Sequence, residues 1–208
     1  MKDQVTDSID SLSAATLEKL IHARRSSYAF AERPVDPALL ERLFEAARWA
    51  ASSRNEQPWS FVIAKREEPE DFERLASTLM PANAAWARRA PVLMLSVARR
   101  DFETSGAPYR HALHDVGLAT AHLLLMATAL GLAAHPMGGF DVDKARELLQ
   151  IPESHEPVAM IALGYPGSIE GLPEPIQARL RAPRLRRAPG QFVFGGRWGR
   201  PATIGAIR

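Results

Sequence analysis

Residues 116–134 contain no Asp, Glu, Lys or Arg. An uncharged run of that length is enough to cross a bilayer. The run is rich in Ala, Gly and Thr, carries His122 and lies between two stretches that read as strands. A helix apolar on nearly all sides is otherwise one that its neighbours bury. We read it as a fully buried helix, for which the neighbour in a chain of 208 residues can be a second subunit. An apolar fraction of 46% and a charged fraction of 24% are those of a soluble globular chain.

Other elements follow from periodicity. Residues 14–24 read as a helix, with Ser13 as its N-cap and Leu17, Leu20 and Ile21 on one face. Asp36 caps a second helix that has Pro37 at its first position. Leu39, Leu40, Leu43, Phe44, Ala47 and Ala50 point inward, and Glu41, Arg42, Glu45 and Arg48 outward. Strands are expected at 59–64, 91–98 and 157–164, the middle one apolar enough to be central in a sheet. A charged helical segment starts at Pro69, and a short helix or turn spans 83–89. The long helix covers 109–131 and ends at Gly131. A short extended piece over 133–135 leads into Pro136-Met137-Gly138-Gly139, and a helix starts at Asp141.

Composition excludes much. The chain has no cysteine, so disulfides, thiolate metal sites, iron–sulfur clusters and a cysteine nucleophile are out. The first twenty residues carry Asp3, Asp7, Asp10 and Glu18 without a continuous apolar core, so we expect no secretory signal there. The six histidines show no metal spacing. Asp115 beside His114 could form a dyad, although a helix sends neighbouring residues to different faces. No P-loop, Gly-x-Ser-x-Gly elbow or Rossmann glycine fingerprint is present.

The net charge of +2 conceals an asymmetry. Residues 1–175 hold 18 basic and 24 acidic residues, a balance of −6, whereas residues 176–208 hold eight arginines and no acid. A basic tail on an acidic body suits an anionic partner: phosphate, nucleic acid or the body itself.

Four constellations bear chemistry. Arg24-Arg25-Ser26-Ser27 offers two guanidiniums and two hydroxyls to a phosphate dianion, or is a solvated helix end. The segment 51–59 (Ala-Ser-Ser-Arg-Asn-Glu-Gln-Pro-Trp) offers hydroxyls and amides to a planar ligand, or caps a helix. In Pro136-Met137-Gly138-Gly139 the paired glycines let backbone N–H groups approach a flat or anionic ligand, or simply make a turn. Arg184, Arg186 and Arg187 could add phosphate contacts, and an RNA-binding reading competes there.

In this order the pieces resemble the nitroreductase family of FMN-dependent NAD(P)H oxidoreductases. Residues 24–30, 43–59, 83–91, 114–118, 136–139 and 184–199 carry the resemblance, which spans roughly 14–200. Its most specific stretch is Ser-Ser-Arg-Asn-Glu-Gln-Pro-Trp at 52–59. The resemblance implies an α+β, three-layer α/β/α fold on a mixed or antiparallel sheet. It implies a single FMN-binding domain over 1–208, with a core at about 14–170. Residues 171–208 would be an extension packed on the partner of a domain-exchanged homodimer. Arg24, Arg25 and Ser26, with Arg184, Arg186 and Arg187, would grip the phosphate. Ser52, Ser53, Asn55 and Gln57 would lie along the flavin. Asn83 would meet its pyrimidine edge, and Pro136, Met137, Gly138 and Gly139 its N5 side. Three positions depart from the usual pattern: Ala51 replaces a proline, Tyr28 a basic residue and Gly138 an acid.

The implied reaction is ping-pong. Tightly bound FMN would take hydride from NAD(P)H and pass it to a small acceptor such as a nitroaromatic or quinone. No catalytic side chain and no metal are expected, nor any nucleic-acid or membrane partner, and the expected location is cytoplasmic. A dehalogenase-like or flavin-consuming member of the family is the nearer alternative. An arginine-tail nucleic-acid-binding module is the more distant one.

Overall fold

A computed structural model describes residues 14–203. Ser13, the expected N-cap, lies outside the described residues. The chain divides into two compact units, with the boundary after Pro173.

The first unit is organised by strand β2 (Val92–Arg99), in which every residue but the last is buried. On one side it pairs with β1 (Trp59–Lys65) and on the other with β4 (His155–Gly164); β3 (Ala133–Met137) pairs with the far side of β4. All pairings are antiparallel and the order is β1-β2-β4-β3. The "mixed or antiparallel" expectation thus resolves to antiparallel. Two prolines sit where a sheet tolerates them. Pro136 is on the edge strand β3, and Pro157 lies opposite Val97, where the β2–β4 register shifts at a bulge.

Helices cover both faces. On one, α2 (Pro37–Arg48) and α5 (Ala112–Ala129) pack against each other and the sheet, with Leu40, Leu43, Ala119 and Leu123 meeting Val92, Met94, Ile161 and Leu163. Alternation turns Leu93 and Leu95 to the other face. There α3 (Pro69–Ala76) packs on β1 and β2, and α6 (Val142–Leu148) on β4 and α3. The unit also contains α1 (Ala14–Ala23), α4 (Pro81–Ala87) and a 3-10 turn at Ser53–Asn55. Asp36 caps α2 as expected, its Oδ1 accepting from the Ala38 N–H at 2.9 Å.

Within one copy the uncharged helix is partly buried: α5 hides one stripe, including Ala112, Asp115, Val116, Ala119, Leu123 and Ala127, while Leu113 is exposed. The helix read over 14–24 is α1, which packs on α5 but buries none of its residues, so that Leu17 and Ile21 are exposed among the described residues.

The second unit contains α7 (Glu174–Arg181) and a short 3-10 turn at Pro189–Gln191. The sequence reading had no helix here. Its coreless character stands, since no residue of α7 is buried.

Candidate functional site

Three of the four constellations lie in the first unit, and the structure sorts them into two clusters. The first gathers around His135 on β3. Its Nδ1 lies 2.9 Å from the Ser27 carbonyl oxygen. A carbonyl only accepts, so Nδ1 carries the proton and donates. The imidazole stacks on Trp86 of α4, with centroids 4.6 Å apart, and meets Tyr28 edge-on at 4.6 Å. Tyr28 and Trp86 touch in turn at 4.7 Å. This aromatic box joins the Arg24–Ser27 segment, α4 and the strand that runs into Gly138 and Gly139.

Burial, and secondarily the charge of Arg24, holds the His135 pKa below the usual histidine value. Arg24 is therefore close enough to be felt by the ring. Ser27 braces the segment: its hydroxyl accepts from the Ala29 N–H at 3.1 Å and donates to the Ala29 oxygen at 3.0 Å. Arg24 and Ser26 are half-buried and Arg25 is exposed.

The same cluster holds Asn83. Its Nδ2 donates to the Gly139 oxygen at 3.0 Å, and the Met80 N–H donates to that oxygen at 3.0 Å. A Cβ built on Gly139 would sit 2.5 Å from Asn83 Nδ2, whereas one on Gly138 would meet nothing within 4 Å. Gly139 is thus the packed glycine and Gly138 the one with open space beside its backbone. Pro136 and Met137, expected before the turn as part of a loop, are the last residues of β3. The strand runs two residues further than read because an edge proline needs no ladder hydrogen bond.

The second cluster is the loop 52–57, which leads into β1. Three non-glycine residues in it have positive φ: Arg54 at 56°, Asn55 at 58° and Gln57 at 49°. Asn tolerates this region, but Arg and Gln each pay about 1–2 kcal/mol for it. Such backbone persists only where surrounding contacts dictate it. Some contacts are internal: the Gln57 N–H donates to Ser52 Oγ at 3.0 Å, and Gln57 Nε2 donates to the Asn55 oxygen at 3.1 Å. Others reach outside. Asp115, 2% exposed, accepts from the Ser53 N–H at 2.9 Å. The Tyr109 hydroxyl bonds Asp115 and lies 3.1 Å from the Ser53 oxygen. Arg99 Nη2 donates to the Glu56 carboxylate at 2.9 Å and to the Glu56 oxygen at 3.1 Å.

Asp115 also meets His114, whose Nδ1 lies 2.8 Å from Asp115 Oδ1. The two residues do leave α5 in different directions, one buried and one 68% exposed, yet the imidazole reaches across to the carboxylate. The pairing that the sequence left open is thus made. Burial works to raise the Asp115 pKa, but hydrogen bonds from His114, Tyr109 and the Ser53 N–H hold it below the ordinary value. Burial and the Asp115 contact push Tyr109 up to about 12, so its hydroxyl keeps its proton. Beside the loop, Ser52, Ser53, His111, His114 and Leu118 line a cleft of about 220 Å³.

The two clusters sit at opposite edges of the sheet, one entering β1 and the other leaving β3. Three strand spacings, roughly 14 Å, separate those edges. Arg184, Arg186 and Arg187 belong to the second unit and are exposed there. His135, Trp86, Asp115 and Tyr109 were not among the residues the sequence singled out for the site. No described group of three or more His, Asp or Glu is arranged to hold a metal.

The segments that build both clusters also carry a family signature. The protein-family model described as the nitroreductase family matches residues 21–165. The chain belongs to the nitroreductase family. A relative from Stenotrophomonas maltophilia, named "Putative NADH dehydrogenase/NAD(P)H nitroreductase", is 32% identical over 173 residues, covering 74% of this chain and 87% of that one. A Mycolicibacterium smegmatis protein of 15.4 kDa, uncharacterised by name, is 39% identical over 132 residues, covering 64% and 87%. Among solved structures, one described as an oxidoreductase containing FMN is similar with a TM-score of 0.83 and 31% identity, over 91% of this chain and 96% of that one. A nitroreductase family protein from Clostridium difficile gives 0.62 and 27%, over 79% and 92%. As a nitroreductase family member the protein is an oxidoreductase with an α+β fold.

Proposed function

We propose that the protein is an FMN-dependent NAD(P)H oxidoreductase acting on small oxidised acceptors. One observation carries this reading: Arg24–Ser27, Asn83 and Gly138–Gly139, distant in sequence, converge on the His135–Trp86 box, with open space beside Gly138. That arrangement fits a flat nucleotide with an anionic end. Arg24, Arg25 and Ser26 hold the phosphate by charge-assisted bonds. The Gly138 and Gly139 backbone faces the flavin edge, and Asn83, fixed by its bond to Gly139, meets the pyrimidine side. Ser52, Ser53, Asn55 and Gln57 lie along the ring. FMN bound there would supply the redox chemistry, hydride transfer from NAD(P)H to a small acceptor such as a nitroaromatic or quinone in a ping-pong sequence.

The separation of the two clusters supports a homodimer in which each flavin is held by one cluster from each copy. Leu17, Ile21, Trp49 and Leu113, apolar and exposed, supply a surface for that contact. The arginines of the second unit add phosphate charge from the tail of the other copy. The similarity to an oxidoreductase containing FMN supports the choice of cofactor.

The test is a titration of apo-protein with FMN, followed by flavin fluorescence, then NADH and NADPH oxidation against a panel of nitroaromatics and quinones. Saturable flavin binding and acceptor-dependent oxidation are expected. A protein that stays colourless with added FMN, and binds RNA with a steep salt slope, overturns the reading in favour of a nucleic-acid-binding module.

A further inference from the structure

We infer that Asp115, acting with Tyr109, is a positioning residue for the flavin: it holds the strained loop 52–57 in the conformation that presents Ser52, Ser53 and Asn55 to the ring. The inference rests on the FMN reading above.

Three observations lead to it. The first is the backbone of the loop, with Arg54, Asn55 and Gln57 all in the left-handed region within four residues. A free loop of this composition would relax. The second is where the restraint comes from. The N–H of Ser53, the residue just before the strained run, is held from outside the loop by Asp115, to which the Tyr109 hydroxyl, 3.1 Å from the Ser53 oxygen, gives its one proton. The third is the burial of the clamp. A carboxylate 2% exposed is kept in a core only when its partners satisfy it. Here Oδ2 takes the Ser53 N–H and the Tyr109 hydroxyl, and Oδ1 takes His114. Asp115 also lies in the first turn of α5, where the helix dipole favours an anion.

The cluster therefore looks built to fix one short piece of backbone. That piece lies beside the cleft that His111, His114 and Leu118 line. Removing the charge at Asp115 leaves the Ser53 N–H with a weaker acceptor and lets the loop explore relaxed backbone. The ring-facing groups of Ser52, Ser53 and Asn55 then no longer hold one arrangement.

The experiment compares wild type, Asp115→Asn and Tyr109→Phe by three readouts. These are hydrogen exchange of the 52–57 amides without FMN, the FMN dissociation constant, and the flavin absorption bands of the loaded proteins. Faster exchange in the loop, FMN affinity weaker by about tenfold in Asp115→Asn and about threefold in Tyr109→Phe, and shifted flavin bands in the loaded variants are expected. A purely structural role would lower the melting midpoint yet leave the bands of the loaded protein in place. Unchanged affinity and unchanged bands in folded Asp115→Asn overturn the inference while the FMN reading stands. Should Asp115→Asn not fold, Tyr109→Phe, which keeps the shape of the core, decides in the same terms. Failure of the wild type to bind FMN removes the functional reading, and this inference with it.

Discussion

The imidazole of His135 lies stacked on the indole of Trp86, centroids 4.6 Å apart and planes at 28°, with its Nδ1–H directed to the Ser27 carbonyl. Trp86 is almost wholly buried, and the Arg24 charge is felt by the ring. The ring is neutral in the folded protein, because burial first and Arg24 second depress its pKa.

That depression links stability to pH. In the unfolded chain His135 takes up a proton near the ordinary value of about 6.5. Below that value the unfolded state binds more protons than the folded one, so stability falls as pH drops, until the folded-state pKa is reached. Replacing His135 with Asn keeps a donor toward Ser27 and removes the titration. Urea midpoints at about pH 7 and about pH 5.5 should differ less in His135→Asn than in the wild type. An equal drop in both would show that the proton goes elsewhere.

Gly138 and Gly139 should separate stability from binding. In Gly139→Ala the new methyl meets Asn83 Nδ2, so Asn83 must swing away and its bond to the Gly139 oxygen is lost, a cost of about 1 kcal/mol. Gly138→Ala meets no neighbour and should keep wild-type stability while weakening FMN, since its methyl enters the space assigned to the ring. Denaturant melts together with FMN titrations give the comparison; equal stabilities for the two variants would contradict it.

Arg24→Ala should weaken FMN about tenfold or more and leave the fold largely intact, since a charge-assisted phosphate contact is worth about 1.5–3 kcal/mol. Titration of the variant with FMN, beside a far-ultraviolet spectrum, reads both. Unchanged affinity would place the phosphate away from this segment.

Arg99 is the second outside anchor of the strained loop, and Glu56 is the loop residue it holds. The ion pair of Glu56 with Arg99 is largely buried, at 12% and 17% exposure. Glu56→Ala leaves the guanidinium with the Glu56 carbonyl and the weaker 3.4 Å contact to Glu103 but no close carboxylate, so a loss of about 3 kcal/mol is expected. The double variant Glu56→Leu/Arg99→Met, with no buried charge left, should recover much of that in a urea melt. Recovery of nothing would mean that the pair acts through shape alone.

What the sequence made legible was local. The Asp36 cap, the apolar face of α2, the largely apolar run of β2 and the stop at Gly131, with φ of 72°, each depend on neighbouring residues, and all appear in the structure. The parts that escaped depend on distance in the chain. Ser53 and Asp115 are 62 residues apart, and His135 and Ser27 are 108 apart. No period or spacing encodes those meetings. The α7 helix escaped for another reason: it buries nothing, so it leaves no apolar stripe to find. The exposed stripe of α1 shows the converse, a helix pattern read correctly whose apolar side one copy leaves bare.

The placement of the two clusters on opposite margins of one four-stranded sheet has a practical corollary for engineering. Residues that far apart within one copy, sharing no protein partner, combine their effects on the stability of the flavin-free protein nearly independently. Stabilising libraries at the loop before β1 and at the turn after β3 can therefore be screened apart and merged, whereas their effects on a flavin that both clusters hold are expected to couple.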